Sequence, residues 1–124
     1  MNIKNTSIIL LTILFNSLSQ ILLKVGAEKI GSIQSSIKSQ NLLAVFISPP
    51  ILIGLILYIV SFALWVVVLS EVEVSVAYPM LSFGYIFVAL LACFFLNETL
   101  TLNKILSISV IIIGVLMLNR NVAN

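Results

Sequence analysis

Long apolar runs separated by short polar stretches dominate the chain, and they predict helices that cross a membrane. An α-helix needs about 20 predominantly apolar residues to span the hydrocarbon core of a bilayer. Short connections at 71–75 and 97–101 predict antiparallel hairpins between successive helices. Ser48, which two prolines follow, and Thr101 have side chains that N-caps prefer. The predicted fold is all-α, a single integral-membrane four-helix bundle with helices at about 7–25, 49–70, 76–96 and 102–118.

The first connection, the start of the chain and the membrane orientation are less clearly indicated by the sequence. The connection 27–48 is rich in serine and glutamine but carries scattered apolar residues, which predict a helix lying in the membrane interface over part of it. Ser17-Leu18-Ser19 weakly resembles a signal-peptidase site, but the apolar pattern resumes beyond it, so we retain a spanning helix. Lysine and arginine are slightly more frequent on the side of the connections 27–48 and 97–101, a weak bias toward the cytoplasm that leaves the orientation open, including insertion both ways.

The composition excludes a water-soluble domain. Hydrophobic residues make up 61% and charged residues 8% of the 124, and the mean hydropathy is +1.28; soluble domains are about 45–50% apolar and about 25% charged. The net charge of +2 is too small to indicate nucleic-acid binding. The chain has no histidine and no aspartate, so it lacks the common catalytic triads and nearly every transition-metal site. We expect a multi-pass protein of the cytoplasmic (inner) membrane that is not an enzyme and needs no cofactor or metal.

Polar side chains form a stripe along the first predicted helix. They recur every fourth residue, so successive members drift by only about 40° around the helix. Such a face has to turn toward protein or water, because lipid offers polar groups no partner. A lysine at the end of the stripe suits an anion such as a phosphate headgroup, although it can also simply reach the headgroup layer. The stripe consists of Thr12, Asn16, Gln20 and Lys24.

The second and third predicted helices each carry a face of small, hydroxyl and aromatic residues at helical spacing. Converging on the polar stripe, these faces predict a chamber of the kind that holds a small molecule or a lipid headgroup. Two other interpretations stay open: small residues line ordinary helix contacts in membranes, and aromatic residues near helix ends, such as Trp65 and Tyr78, fit an interfacial belt. The predicted lining is Tyr58, Trp65, Tyr78, Ser82 and Tyr85, with Gly54 and Ser61 on the same face.

The fourth predicted helix differs, because its residues are nearly all isoleucine, valine and leucine. Ser107 and Gly114 lie seven residues apart on one face, and small residues at such spacing let two helix backbones approach closely. We therefore expect this helix to associate with another subunit.

The four apolar runs contain no carboxylate. A transmembrane proton relay commonly uses an intramembrane acidic residue or histidine, so these runs do not supply the residue that such a relay needs.

Several ordered motifs resemble the drug/metabolite transporter superfamily. The length and the four crossings are similar to its small multidrug resistance branch, and within that branch the chain is most similar to the subunits implicated in flipping undecaprenyl-phosphate-aminoarabinose. The motifs are Gly54-Leu55 through Leu64-Trp65, Ser75-Val76-Ala77-Tyr78-Pro79-Met80-Leu81-Ser82, Leu96-Asn97-Glu98-Thr99-Leu100-Thr101, Ile113-Gly114-Val115 and Gln20-x3-Lys24.

Two departures from this resemblance argue against the exchange of cationic drugs for protons. Small multidrug antiporters carry a membrane-embedded glutamate eight residues before a lysine, and here that position is Asn16. Their tryptophan three residues after the helix-three tyrosine is Leu81 in this chain. The resemblance also implies a dimer held by the fourth helix, which Ser107 and Gly114 would match. That dimer is either a homodimer or a heterodimer with a related small four-helix subunit.

These observations lead to one favoured function and two alternatives. The favoured function is a flippase subunit that moves a membrane lipid, a polyprenyl phosphate or its sugar-linked form, between leaflets. Lys24 would hold the phosphate, and Asn16 and Gln20 would bond nearby oxygens. Pro79 and Gly84 would permit a bend in the third helix. The alternatives are a small-molecule or multidrug exporter and a membrane scaffold subunit that transports nothing.

Overall fold

The computed structural model describes residues 3–33 and 46–122, with side chains at 4–28 and 46–117. These residues are helical apart from short connections, and no strand occurs among them. The predicted all-α membrane fold is confirmed, with two consecutive helices and the turn between them forming the third crossing. The helices are α1 (Ile3–Ile33), α2 (Pro49–Glu71), α3 (Val74–Met80), α4 (Gly84–Leu96) and α5 (Leu102–Val122), and a 3-10 turn, Leu81–Phe83, separates α3 from α4.

Three of the crossings have the apolar length that a bilayer requires. Lys4–Glu28 has 25 residues, and Pro49–Glu71 and Val74–Leu96 have 23 residues each. The fourth crossing, α5, contains a shorter apolar stretch, Leu102–Met117. The outward side chains of these helices are largely exposed isoleucine, leucine, valine and phenylalanine, which is the surface that acyl chains of a bilayer can cover.

The first helix is longer than predicted. α1 continues to Ile33, whereas the apolar pattern suggests an end near Val25. Apolar composition marks where a helix leaves the hydrocarbon core, while helical hydrogen bonding can continue into the headgroup layer. The rest of the predicted interfacial helix falls largely on residues 34–45, which lie outside the described residues.

The helix starts follow the predicted capping residues only in part. α2 begins with Pro49 and Pro50, whose missing N–H groups are not needed in a first turn. Thr101 caps α5 as predicted, because the Lys104 N–H donates to its Oγ1 at 3.3 Å. The predicted side-chain cap of α2 is wrong, since the Ser48 hydroxyl makes no capping hydrogen bond. Pro50 removes one of the two N–H groups that such a cap normally bonds.

The third crossing changes its hydrogen bonding partway along. Pro79, which has no N–H, lies inside α3. Just after it, the Leu81 N–H bonds back to the Tyr78 carbonyl, three residues away, and regular α-helix resumes at Gly84. Short 3-10 stretches within a helix often mark a hinge. This turn lies between Pro79 and Gly84, the two residues at which the sequence permits a bend.

The chain packs around α1, which contacts α2 most extensively and α4 less so. α5 contacts α3 and the 3-10 turn. This arrangement places the side chains of α1, α2, α3 and α4 around one central region. The buried apolar cluster that joins α1, α2 and α3 consists of Ile9, Ile13, Val68, Ala77 and Met80.

α1 and α2 approach closely where the small residues of α2 face α1. A Cβ added at Gly54 would lie 3.2 Å from two leucine side chains of α1 and 3.2 Å from the Ser19 carbonyl oxygen. Further along α2, the buried Ser61 hydroxyl donates to the Thr12 carbonyl at 3.0 Å. Gly54 and Ser61 therefore serve helix packing, as small residues commonly do in membranes.

Ion pairs identify which helix ends share a side of the membrane. Lys4 Nζ lies 3.6 Å from Glu71 Oε1, so the start of α1 and the end of α2 lie together. The other end of α1 then lies with the start of α2, the end of α4 and the start of α5. At that end Lys104 Nζ lies 3.6 Å from Glu98 Oε2. We call this end the Lys24 side of the protein.

Candidate functional site

Three neighbouring cavities lie between the helices and share the side chain of Leu81 as a wall. The α1–α4 cavity has a volume of about 290 Å³, the α1–α2 cavity about 170 Å³ and the α3 cavity about 320 Å³. Asn16 lines both the first and the second cavity, and Tyr85 lines both the first and the third. We call these three the central cavities, since each shares wall residues with the others.

The structure brings every predicted substrate-binding residue except the lysine to the central cavities. Gln20 joins Asn16 and Tyr85 in the α1–α4 cavity. The other four divide by helix: Tyr58 and Trp65 of α2 line the α1–α2 cavity, and Tyr78 of α3 and Ser82 of the 3-10 turn line the α3 cavity.

The polar groups of these cavities lie near the middle of the spanning helices. Asn16 is the central residue of the span Lys4–Glu28, and Tyr85 is the central residue of Val74–Leu96. A polar group at that depth is costly unless it meets a partner or water. Transporters commonly bind their substrates near the bilayer midplane, so the depth of these residues suits a transport site.

Serine hydroxyls around the cavities are already bonded to nearby carbonyls. Ser17 donates to the carbonyl four residues earlier at 2.8 Å, and Ser82 donates to the carbonyl of Pro79 at 2.6 Å. Ser82 therefore has only acceptor capacity left for a ligand. Within the described part of the chain, the side chains of Asn16, Gln20 and the three tyrosines form no hydrogen bond. These amide and phenol groups are the ones left to bond a ligand.

An aromatic pair connects α2 to α3 beside the cavities. The ring centroids of Trp65 and Tyr78 are 6.4 Å apart with an interplanar angle of 63°, an edge-to-face arrangement that aromatic rings prefer. Trp65 lines the α1–α2 cavity and Tyr78 lines the α3 cavity. The two rings thus contribute both to helix packing and to the cavity walls, whatever their depth in the bilayer.

Lys24 lies outside the central cavities, one helical turn beyond Gln20. Its Nζ lies 3.6 Å from Glu28 Oε1, and both side chains are about half exposed. The i,i+4 spacing of Lys24 and Glu28 is typical of helix ion pairs, a signal in the sequence that the predicted site did not include. From Lys24 the polar stripe leads inward through Gln20 to Asn16, with about 6 Å of helix rise between successive members.

The predicted association residues Ser107 and Gly114 are exposed on α5. A Cβ added at Gly114 would meet no atom within 4 Å. The described side chains of this chain therefore leave that face of α5 open to a helix of another subunit.

The sequence is similar to one protein family and to several known membrane proteins. The sequence model of the EamA-like transporter family matches residues 2–120. The probable 4-amino-4-deoxy-L-arabinose-phosphoundecaprenol flippase subunit ArnE of Enterobacter sp. (strain 638) is 41% identical over 66 residues, which are 53% of this chain and 62% of that protein. Subunit ArnF of Proteus mirabilis (strain HI4320) is 28% identical over 115 residues, 84% of this chain and 83% of the relative. In ArnE of Pseudomonas fluorescens the match, 40% identical over 57 residues, spans half of that protein. No solved structure matches the chain.

Proposed function

This chain belongs to the EamA-like transporter family, and from that premise we propose that it moves a polyprenyl phosphate, or its sugar-linked form, between the leaflets of the membrane. The family match and the three helices of membrane-spanning length together identify it as a multi-pass transport protein of the inner membrane. The relatives named ArnE and ArnF are flippase subunits for a sugar linked to phosphoundecaprenol. Their names support a lipid-linked cargo for this chain.

The observation that carries the proposal is the lining of the central cavities. Among the residues that the structure describes, it consists of amide, hydroxyl, aromatic and aliphatic side chains and includes no carboxylate. The amide groups of Asn16 and Gln20 can donate to phosphate oxygens and can also accept from sugar hydroxyls. A cation held there would have no acidic counter-charge, so the lining favours an anionic or sugar headgroup.

Lys24 is the proposed first contact of the phosphate. Its pair with Glu28 is half exposed, and exposed ion pairs contribute little to stability. A phosphate can therefore replace the carboxylate at small cost. From Lys24 the headgroup would pass to Gln20 and then to Asn16 at mid-depth, exchanging one hydrogen-bond partner for the next while its hydrocarbon chain stays in apolar surroundings.

Transport requires the central cavities to open to each side of the membrane in turn. Leu81 lines all three cavities and belongs to the 3-10 turn, where α-helical hydrogen bonding is interrupted. A change in this turn therefore alters all three cavities at once. In the proposed assembly a second subunit, a copy or a related four-helix protein, packs on Ser107 and Gly114 and completes the enclosure.

Replacing Lys24 by methionine tests the phosphate contact. The protein, purified with any subunit that remains bound, is placed in liposomes with a fluorescent polyprenyl phosphate, and flipping is followed by quenching of the outer leaflet. A hydrogen bond to a charged group contributes roughly 1.5–3 kcal/mol, so we expect Lys24→Met to lower the flipping rate roughly tenfold or more. Lys24→Arg should restore part of the rate, because it keeps the charge.

Lys104→Met is the matched control for this experiment. Lys104 also forms a half-exposed ion pair of 3.6 Å with a glutamate on the Lys24 side, but it lines none of the central cavities. Its variant should flip the lipid at the wild-type rate. An unchanged rate in Lys24→Met would contradict the role of Lys24, and a wild-type protein that flips no polyprenyl phosphate would contradict the cargo.

The aromatic side chains favour a second candidate function, export of a cationic small molecule. Trp65 and the tyrosines line the central cavities, and aromatic ring faces attract cations even without a carboxylate. The same liposomes loaded with a fluorescent quaternary ammonium dye distinguish the two functions. Dye export without lipid flipping would establish the exporter.

A further inference from the structure

A fourth cavity, larger than any of the central cavities, lies between α4 and α5. Its volume is about 470 Å³, within the range of about 300–1,000 Å³ that is typical of small-molecule sites. Aliphatic side chains form its walls, and Ser109, the polar residue among them, donates its hydroxyl to the Ile105 carbonyl at 2.8 Å. The described lining of this α4–α5 groove therefore offers hydrocarbon contacts and no free hydrogen-bond donor.

α5 packs on α3 and the 3-10 turn more than on α4, and the groove lies between α4 and α5. On the α4 side, Ala89 contributes only a methyl group. On the α5 side, lining residues Ile105 and Ile113 are separated by about 12 Å of helix rise. Because the lining also includes Ile86 at mid-span and Leu100 in the connection after α4, the groove runs from the middle of the membrane toward the Lys24 side.

α5 presents the groove and its small residues on opposite faces. The groove-lining residues of α5 centre on the direction of Ile105, and Ser107 and Gly114 lie about 180–200° away at 3.6 residues per turn. A second subunit can therefore pack on Ser107 and Gly114 while the groove remains open. The small-residue face suits a helix, and the groove suits a flexible hydrocarbon chain.

α4 is a wall common to the groove and the central cavities. Tyr85 and Val88 line the α1–α4 cavity, whereas Ile86 and Ala89 line the groove. A polar binding region and an apolar one therefore lie side by side at mid-depth, one helix apart. An amphiphile with a polar head and a long aliphatic chain matches this arrangement.

We infer that the α4–α5 groove binds the isoprenoid chain of the lipid whose phosphate occupies the central cavities, an inference that rests on the proposed function. Surrounding lipid is as apolar as the groove, so burial there adds little hydrophobic free energy. The groove instead supplies van der Waals contacts between branched isoleucine side chains and methyl-branched isoprene units. It holds the chain beside α4, which keeps the phosphate within reach of Asn16.

Photocrosslinking on the complete protein, with any subunit that co-purifies, tests this inference. The probe is a polyprenyl phosphate with a diazirine on its isoprenoid chain, in nanodiscs of phosphatidylethanolamine and phosphatidylglycerol, and adducts are mapped by mass spectrometry. We expect adducts on the groove residues of α4 and α5, and we expect unlabelled polyprenyl phosphate to displace the probe. Added phosphatidylglycerol should displace it far less.

Variants that fill the groove provide the second measurement. Ile108→Trp, on the groove face, should lower both the labelling and the flipping rate several-fold, and Ala89→Leu should act in the same direction with a smaller change in volume. Leu106→Trp is the control, because Leu106 is 55% exposed and lies between the groove face and the small-residue face. It should behave like the wild type.

The outcomes separate this inference from the proposed function. Displacement of the probe by phosphatidylglycerol as readily as by polyprenyl phosphate would make the groove a general lipid contact and overturn the inference. Wild-type labelling and flipping in both Ile108→Trp and Ala89→Leu would also overturn it, while the flipping itself would still support the proposed cargo. Failure of the wild type to flip polyprenyl phosphate would overturn the proposed function and this inference with it.

Discussion

Gly54 and Gly114 are the same residue type in opposite surroundings. A Cβ at Gly54 would lie 3.2 Å from atoms of α1, including the Ser19 carbonyl oxygen, whereas a Cβ at Gly114 would meet nothing within 4 Å. Gly54 thus admits a neighbouring helix of the same chain, and Gly114 lies on the face proposed for another subunit. The helical spacing in the sequence predicts that both glycines lie on faces of small residues. It does not predict which helix packs against each face.

Alanine substitutions at these two glycines should therefore change stability in opposite directions. At an open position within a helix, alanine is more stable than glycine by roughly 0.5–1 kcal/mol. In the isolated subunit, where no partner helix covers this face, we expect Gly114→Ala to show that gain, and we expect Gly54→Ala to lose roughly 1–3 kcal/mol because α1 and α2 must move apart. Thermal unfolding of both variants in the same detergent measures the difference. If the two variants unfold at the same temperature, α1 and α2 do not pack closely at Gly54.

The residues of the central cavities differ in how well the sequence indicates them. Asn16, Gln20 and the tyrosines stand out because polar and aromatic side chains are conspicuous in an apolar helix. Leu81 lines all three cavities, yet an apolar residue in an apolar helix gives no such signal. The spacing of Glu28 from Lys24 allows an ion pair, but only the structure shows it formed at 3.6 Å.

At the scale of the helices, the polar side chains of α1 differ in whether they form a hydrogen bond within the helix. Thr12, Ser17 and Ser19 are almost fully buried and bond backbone carbonyls of α1 itself, although Thr12 and Ser17 also border the central cavities. Asn16 and Gln20 line the α1–α4 cavity without such bonds. The polar side chains of α1 are therefore of two kinds, hydroxyls that bond within the helix and amides that are left to bond a ligand.

Cysteine labelling tests this division and distinguishes a transporter from a scaffold. In a Cys93→Ala background, which removes the single native cysteine, Asn16→Cys and Gln20→Cys should react with a membrane-impermeant maleimide, because a transport site must reach water. Ser19→Cys, at a position that is 0% exposed, should react only after denaturation and serves as the matched control. If neither Asn16→Cys nor Gln20→Cys reacts with the maleimide, the result would favour a scaffold subunit that transports nothing.

At the scale of the whole molecule, the topology was predictable and the groove was not. Bilayer thickness fixes the length of a spanning helix, and short connections require antiparallel neighbours, so the order of crossings follows from the apolar pattern. The α4–α5 groove depends on the direction in which α5 leaves α4. A helix made almost entirely of isoleucine, valine and leucine has no polar face that would specify this direction.

The two faces of α5 lead to a prediction about assembly. Ser107→Leu places a bulky side chain where the backbones of two helices are expected to meet, so it should shift the protein toward monomers, and flipping should fall with the fraction of assembled subunits. Ser109→Leu, the same substitution on the groove face, should leave assembly intact. Subunit counting by single-molecule photobleaching in lipid nanodiscs measures both. If Ser109→Leu dissociates the subunits and Ser107→Leu does not, the partner helix occupies the groove, and the isoprenoid chain must bind elsewhere.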